Sequence, residues 1–471
     1  MPLAPIGLAV VALLAAQKAP SEAEVLKKSC DKGAAADCHT LAGLYERGES
    51  VPADAGKAAG LLKKACELKL AQACLELAAA TRAGKGVKKD PERGALLYQQ
   101  ACDGGVVPAC AELAGMLAAG REVPMNLGRA AELETKACDG GAAASCGRLA
   151  AMYAEGAPMP RDEAKAAGLF ERGCSGGDGA SCTRLAAMMA EGRGGLAPDP
   201  ARATALARKG CDAGVSAACA TLGAALAKGD GVPRDLAQAV ALLTRACEGG
   251  EPRGCQVLGE LTRDGSGVAR DPARAAELFR RACEGHAGGA CYDLALLTLR
   301  GSGVPPDLAR AMSLYRDACS AGEPRGCLEL GRLFQGGRRV VKDPMRANSL
   351  YAEACDKGSL PACGLLAAML ELGEGASRDV VRARSLYERS CKGGLGPECL
   401  ALAHLLQRQA ERPAALDALG KGCDAAQLQA CHELAQAWES ARNTAKALPL
   451  YEKACAGGIQ PACERAKKLK E

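Results

Sequence analysis

Cysteine spacing sets the period of this chain. Two cysteines with seven residues between them occur at Cys30 and Cys38, Cys66 and Cys74, Cys102 and Cys110, Cys138 and Cys146, and Cys174 and Cys182. The series continues at Cys211 and Cys219, Cys247 and Cys255, Cys283 and Cys291, and Cys319 and Cys327. It ends at Cys355 and Cys363, Cys391 and Cys399, Cys423 and Cys431, and Cys455 and Cys463, which uses all 26 cysteines. First members lie 36 residues apart, with one step of 37 at Cys174 to Cys211 and two of 32 at the end. A period of this size means a repeat array in which each unit buries its apolar face on its neighbours.

Residues eight apart on an unbroken helix are separated by about 12 Å along its axis, and on a strand by more than twice that. A disulfide needs Cα atoms within about 4.4–6.8 Å, so a bridged pair requires the chain to turn between its members. The intervening segments, such as DKGAAAD, DGGVVPA and EGGEPRG, put Gly two or three places after the first Cys and often Pro just before the second. Gly supplies the left-handed residue that ends a helix, and Pro is tolerated in the first turn of the next. Each pair is therefore read as a staple between the end of one helix and the start of another. Structural zinc and reduced core thiols are the alternatives. Zinc knuckles carry two to four intervening residues, and the four histidines (39, 286, 404 and 432) keep no fixed relation to the pairs.

The repeat overrides the two to four globular domains that 471 residues would otherwise suggest. Three Phe and one Trp serve the whole chain, so the core must come from Ala, Leu, Gly and Cys. In so thin a core staples matter: closing a loop of about nine residues contributes roughly 2.5 kcal/mol in the chain-entropy account. The net charge of +5 is small for this length, and basic runs with interleaved aromatics are lacking, which argues against nucleic acid as a partner. Dense paired cysteines imply an oxidising compartment. Residues 5–16, PIGLAVVALLAA, have the size of a signal-peptide core and are too short to span a bilayer. The expected organisation is a signal peptide over 1–20 and one solenoid over 21–471.

Ser21 followed by Glu24 has the capping-box pattern and opens a single capping helix into Cys30. Then CHTLAGLYERG places Cys38, Leu41, Ala42 and Tyr45 on one helical face, ending at Gly48. We call this helix A. A loop with Asp54 as cap leads to helix B, AGKAAGLLKKAC, whose Ala58, Leu62, Ala65 and Cys66 share a face. Asp-Pro at Asp90, Asp199, Asp271 and Asp343 puts Asp at the cap and Pro at the first helical position. The fold class is all-α: an αα superhelix, or solenoid, of about 12 helix-turn-helix repeats, drawn out into a curved rod. Units of 36 residues run to about 398, units of 32 residues cover 399–462, and 463–471 form a polar cap helix.

With LAGLYERG, GKGVKKDPERGALLY and KAC in view, the chain resembles the Sel-one-like repeats (SLR), relatives of the tetratricopeptide repeat. In particular it is similar to the bacterial cysteine-rich Hcp-type group. The resemblance covers about residues 21–471 and implies helix pairs cross-linked by disulfides between cysteines eight apart, export, and adaptor roles. It also implies an alternative, since some members are described as β-lactamase-like and as binding penicillin-type compounds.

The chemistry such an activity needs is not legible in the residues. One SxxK string exists, Ser29 to Lys32, but its Ser stands where other units have Ala65, Ala101 or Ala137, and neither Ser-Asp-Asn nor Lys-Thr-Gly accompanies it. Carboxylates such as Glu46, Asp103, Asp139, Glu155 and Glu191 read as helix-end residues. No catalytic residue, cofactor or metal site is assigned. His39 and His432, directly after the second Cys of their units, are expected on the surface of the concave side. The favoured function is an exported scaffold, periplasmic or secreted and monomeric, that holds a peptide or protein segment on a concave face. The candidate lining is Thr40, Glu76, Glu112, Arg148, Arg184, Asp293 and Glu329. Weak β-lactam binding or hydrolysis is the alternative, and a passive envelope spacer the third reading.

Overall fold

A computed structural model describes residues 21–337 and 340–471. The segment read as a signal peptide, 1–20, lies outside the described residues. Two compact units divide the chain, the first ending at Ala218 and the second running Cys219–Glu471. Among the described residues there are 26 helices and no strand.

Chain order gives α1 (Glu22–Asp31), α2 (Ala35–Arg47), α3 (Ala55–Glu67), α4 (Ala71–Ala83), α5 (Pro91–Asp103) and α6 (Val107–Ala119). Then come α7 (Leu127–Asp139), α8 (Ala143–Glu155), α9 (Glu163–Ser175), α10 (Gly179–Glu191), α11 (Pro200–Asp212) and α12 (Ser216–Lys228). The next are α13 (Leu236–Glu248), α14 (Pro252–Asp264), α15 (Pro272–Glu284), α16 (Gly288–Arg300), α17 (Leu308–Ser320) and α18 (Pro324–Gly336). The remainder are α19 (Pro344–Asp356), α20 (Leu360–Leu372), α21 (Val380–Lys392), α22 (Gly396–Arg408), α23 (Arg412–Asp424), α24 (Leu428–Ser440), α25 (Thr444–Ala456) and α26 (Gln460–Lys470). After the capping helix α1, even numbers are A helices and odd numbers B helices. Successive helices pack on one another from α1 to α11 in the first unit and from α13 to α26 in the second, so each unit is a solenoid of helical hairpins.

The staples close the B-to-A turn. Twelve bridges between cysteines eight apart have Cα atoms 4.5–4.8 Å apart, and no described cysteine is free. The left-handed residue sits three places after the first Cys, as at Gly33, Gly105 and Gly358. A Gly two places after it, such as Gly104 with φ −76°, stays right-handed and ends the B helix. At three turns the left-handed position is held by Lys69, His286 or Ala426, each carrying a Cβ that crowds the following carbonyl. Replacing Ala426 by Gly is therefore expected to raise the unfolding free energy by about 0.5–1 kcal/mol, and Gly394→Ala to lower it similarly. Nothing lies within 4 Å of a Cβ at Gly394, so only backbone strain acts there. Urea titrations check the pair, and identical curves for both variants would remove the strain argument.

Caps fall where the sequence places them. Asp54, Asp90, Asp199, Asp271 and Asp343 each accept the N–H of the third residue of the following B helix at 2.9–3.0 Å, and Ser21 and Glu24 form the capping box of α1. That N–H at Lys57, with the lysine's own side chain, holds the Asp54 carboxyl below the usual carboxylate range. The loop between A and B does more than connect. A Cβ on Gly86 would lie 2.0 Å from the Ala55 carbonyl oxygen, and one on Gly303 2.3 Å from the Pro272 carbonyl carbon. The second Gly of each GxG thus lets the loop press onto the start of the previous B helix, in a backbone conformation of φ 72–76° that Gly adopts freely. In the last hairpins the loop shrinks from residues 373–379 to residues 409–411 and 441–443, which accounts for the 32-residue period. The terminal helix begins at Gln460, three residues before the expected 463.

Core packing follows a large-to-small rule. Four residues before the first Cys, B helices present Tyr98, Phe170, Phe279, Tyr315, Tyr351 or Tyr387, all buried. Four residues after the second Cys, A helices present Ala78, Ala150 or Gly259, and a Cβ on Gly259 would lie 2.7 Å from the Phe279 ring. Small residues there let helices approach closely and seat the rings of the thin core.

Candidate functional site

A-helix positions two residues after the second Cys recur once per hairpin, and the structure divides the candidates among them into committed and free. Glu76 takes His39 Nε2 at 2.9 Å from the preceding A helix. Glu112 lies 3.2 Å from Arg82, which also reaches Glu122 at 2.6 Å. Asp293 pairs with Arg263 at 2.9 Å. Glu329 pairs with Arg332 on its own helix at 2.9 Å, and the Thr40 hydroxyl donates to the Ala36 carbonyl at 3.0 Å. The His404–Glu433 contact at 2.8 Å repeats the same inter-helix rung further on.

Two expectations of exposure are corrected. Asp293 is 8% exposed, and Arg263 of the preceding A helix reaches across to pair with it. Burial pushes its carboxyl above the ordinary range, against the opposing pull of Arg263. His432 is also buried, in a tilted contact with the Tyr451 ring at 5.6 Å between centroids, and its Nδ1 has no hydrogen-bond partner among the described residues. The position after the second Cys turns toward the following B helix there, not toward solvent.

Arg148 is exposed, yet its guanidinium is engaged. It grips Glu134 at 2.5 and 3.0 Å and the Ser145 hydroxyl at 3.0 Å. Glu134 is 1% exposed and stands in α7 where neighbouring B helices carry Tyr98 and Phe170. A buried carboxylate is tolerated only when paired in this way.

Arg184 on α10 is exposed and has no ion pair or hydrogen bond among the described residues. Beside it lies a hollow of about 280 Å³ lined by Gly147, Arg148, Phe170, Asp178, Ser181 and Arg184. Asp178 in this hollow is occupied as the cap of α10, accepting the Ser181 N–H at 2.9 Å. The arrangement offers one free guanidinium beside a hollow that Phe170 also lines, suited to a carboxylate on an extended ligand.

A second set of rungs joins B helices. Lys64 meets Asp31 at 2.9 Å, Lys136 meets Asp103 at 3.4 Å and Arg172 meets Asp139 at 3.1 Å. Arg281 donates to the Cys247 carbonyl at 2.8 Å and Lys453 to that of Cys423 at 2.9 Å. Each places a cation at the C-terminal end of the preceding B helix, where exposed carbonyls favour it. Asp103 and Asp139 are accordingly helix-end residues in this structure. Neither set of rungs was legible beforehand. The repeated basic residue two places before the first Cys was the available signal.

Catalytic chemistry finds little support in the geometry. The Ser29 hydroxyl donates to the Asp37 carboxylate. Burial pushes the hydroxyls of Tyr315 and Tyr387 up, and that of Tyr351 up to about 12, so these rings stay neutral. Among the described residues, ligand atoms of Cys319, Cys327 and Glu353 lie close enough to hold a metal, but the two sulfurs are bonded to each other and offer no thiolate. No described helix is long and apolar enough to cross a membrane.

A search of curated proteins finds no match. Among solved structures, the chain is similar to a protective antigen present in uropathogenic Escherichia coli strains that displays an SLR fold. That likeness has 21% identity and a TM-score of 0.66, covering 96% of this chain and 94% of the antigen. A Sel1 repeat protein from Oxalobacter formigenes is similar at 26% identity over 49% of this chain and 94% of its own, with a TM-score of 0.45. Helicobacter pylori cysteine rich protein B matches at 24% identity over 28% and 93%, with a TM-score of 0.24. The Sel1 repeat family matches residues 36–70, 71–106, 107–141, 143–178, 179–215, 216–251, 252–286, 289–323, 324–359, 360–395 and 428–459. Each matched segment spans an A helix and the B helix after it, and on that combined footing of sequence and hairpin the chain belongs to the Sel1 repeat family.

Proposed function

We propose that the protein is an exported scaffold, periplasmic or secreted, that holds an extended acidic peptide or protein segment along its A-helix face. Solenoids of this family are suited to protein–protein interaction, and twelve bridges formed at once fit an oxidising compartment. The observation that carries the reading is Arg184, a cation left free beside the Phe170 hollow while Glu76, Glu112, Arg148 and Asp293 on the same kind of position are engaged. Along the first unit these positions change sign from Glu76 and Glu112 to Arg148 and Arg184, which suits a ligand spread over several hairpins better than a point-like substrate. No observation favours β-lactam hydrolysis, since Ser29 is tied to Asp37.

Photo-crosslinking tests the proposal. A benzophenone side chain at Ala187, exposed one turn from Arg184 on α10, is expected to capture one discrete partner, and one at Gln99 on a B helix is not. Arg184→Glu is expected to weaken capture about tenfold or more, the loss and reversal of one charge-assisted contact. Equal capture from both faces, or capture indifferent to Arg184, would exclude the A face as the site. Nitrocefin turnover by the oxidised protein that vanishes in Ser29→Ala would favour the enzymatic alternative instead.

A further inference from the structure

Some hairpins of the array seat an aromatic side chain under a cation, and others, including one in the first unit, leave that position without a ring. Seven residues after the second Cys, A helices carry Tyr45, Tyr153, Phe334 and Trp438. In each of these hairpins the third residue of the following B helix lays a cation over that ring. Lys57 covers Tyr45 at 5.4 Å, Lys165 covers Tyr153 at 5.4 Å, Arg346 covers Phe334 at 5.5 Å and Lys446 covers Trp438 at 4.3 Å. In α4 the same position is Thr81, while α5 still supplies its cation, Arg93. The cation is present without the ring, as it is where Thr262 or Thr298 holds the position and Arg274 or Arg310 follows.

The space is not closed by repacking. A cavity of about 370 Å³ remains, within the range of small-ligand sites, with Ala59, Leu77 and Val87 as apolar walls and Lys63, Lys88 and Arg93 around them. Gly60 stands at its side, and a Cβ there would meet nothing within 4 Å. Among the described residues Lys88 and Arg93 have no ion pair, and Lys63 has only a 3.9 Å contact with Glu67. Asp90 also lines the cavity, but one of its oxygens is occupied in capping α5. Thr81 is 5% exposed and lines the space, and its hydroxyl has no hydrogen-bond partner among the described residues. Thr262 and Thr298, at the same position of other hairpins, donate to the carbonyls of Leu258 and Leu294 at 2.7 and 2.8 Å. The Thr81 hydroxyl makes no such bond and opens onto the cavity, free to donate to a ligand there.

We propose that this cavity binds a small aromatic carboxylate. Its ring takes the slot that Tyr45 or Tyr153 fills elsewhere, under the Arg93 guanidinium, and its carboxylate accepts from Thr81 and pairs with Lys63 and Lys88. The apolar walls call for the ring and the excess of cations for the anion. The site is independent of the A-face reading, because it lies between B helices α3 and α5 over the floor of α4.

Isothermal titration of the oxidised full chain with benzoate tests it. Saturable one-to-one binding is expected, about fivefold weaker for cyclohexanecarboxylate, which has no π face for Arg93, and absent for acetate. Thr81→Phe returns the chain's own ring to the slot. It is expected to abolish benzoate binding and raise the melting temperature. Arg93→Gln and Lys88→Gln, on exposed side chains, are each expected to weaken binding about fivefold and keep the readout should Thr81→Phe fail to fold. Absence of saturable benzoate binding, acetate binding as tightly as benzoate, or benzoate binding unchanged in Thr81→Phe would each overturn the proposal.

Discussion

Reduced under native conditions, the protein is expected to melt about 20 °C or more below its oxidised form. Each staple closes a loop of about nine residues and contributes roughly 2.5 kcal/mol, and one kcal/mol shifts the melting temperature of a unit this size by about 2–4 °C. In a solenoid the stability of each hairpin passes to its neighbours, so losing staples throughout also loosens the interfaces between hairpins. The core has little in reserve, because its columns are Ala65, Ala101, Ala137, Ala246, Ala282, Ala318 and Ala354, each completely buried and each offering one methyl group. Circular dichroism melts with and without a phosphine reductant measure the effect. A shift of only a few degrees would mean that helix packing alone holds the hairpins, and the staples would then have to be explained by protease resistance or folding order.

Arg148→Ala is expected to destabilise the first unit by about 3 kcal/mol, the largest effect of any single exposed side chain. Removing the guanidinium strands Glu134, which is 1% exposed, without its two hydrogen bonds. Breaking a buried pair from one side costs about 3–5 kcal/mol, and the lower end applies because Arg148 itself is 45% exposed. The double variant Glu134→Leu with Arg148→Leu is expected to recover wild-type stability or exceed it, since an apolar side chain belongs at that position in neighbouring hairpins. Urea unfolding of the single and double variants decides the point. A single variant as stable as the wild type would show that water reaches Glu134 and that the pair matters only at the surface.

Local features were readable from residues alone. The Asp54 and Asp90 caps act over three residues, the Cys66–Cys74 staple over eight, and the turn at Gly105 within the same short stretch, so chemistry and spacing sufficed for each. The shift of the left-handed residue to three places after the first Cys was a matter of one position, because both Gly104 and Gly105 could have taken it. Side chains whose meaning depends on a neighbouring hairpin were misread or overlooked. Asp293 looked exposed because its own helix places it there, and Arg263, 30 residues earlier, is what encloses it. Glu134 was passed over, because its burial shows only when its column of aromatic counterparts is aligned in space.

The sequence by itself determined the repeat, the hairpin, the staples and the caps, because each is closed within a few turns of chain and repeated until chance is excluded. Only the tertiary structure decided which cations are spent on rungs, that Arg184 is free, and that the ring missing at Thr81 leaves a cavity. Those outcomes depend on how far apart consecutive hairpins settle, and that distance is set by the combined packing of small residues, loops and rings from two or three repeats at once.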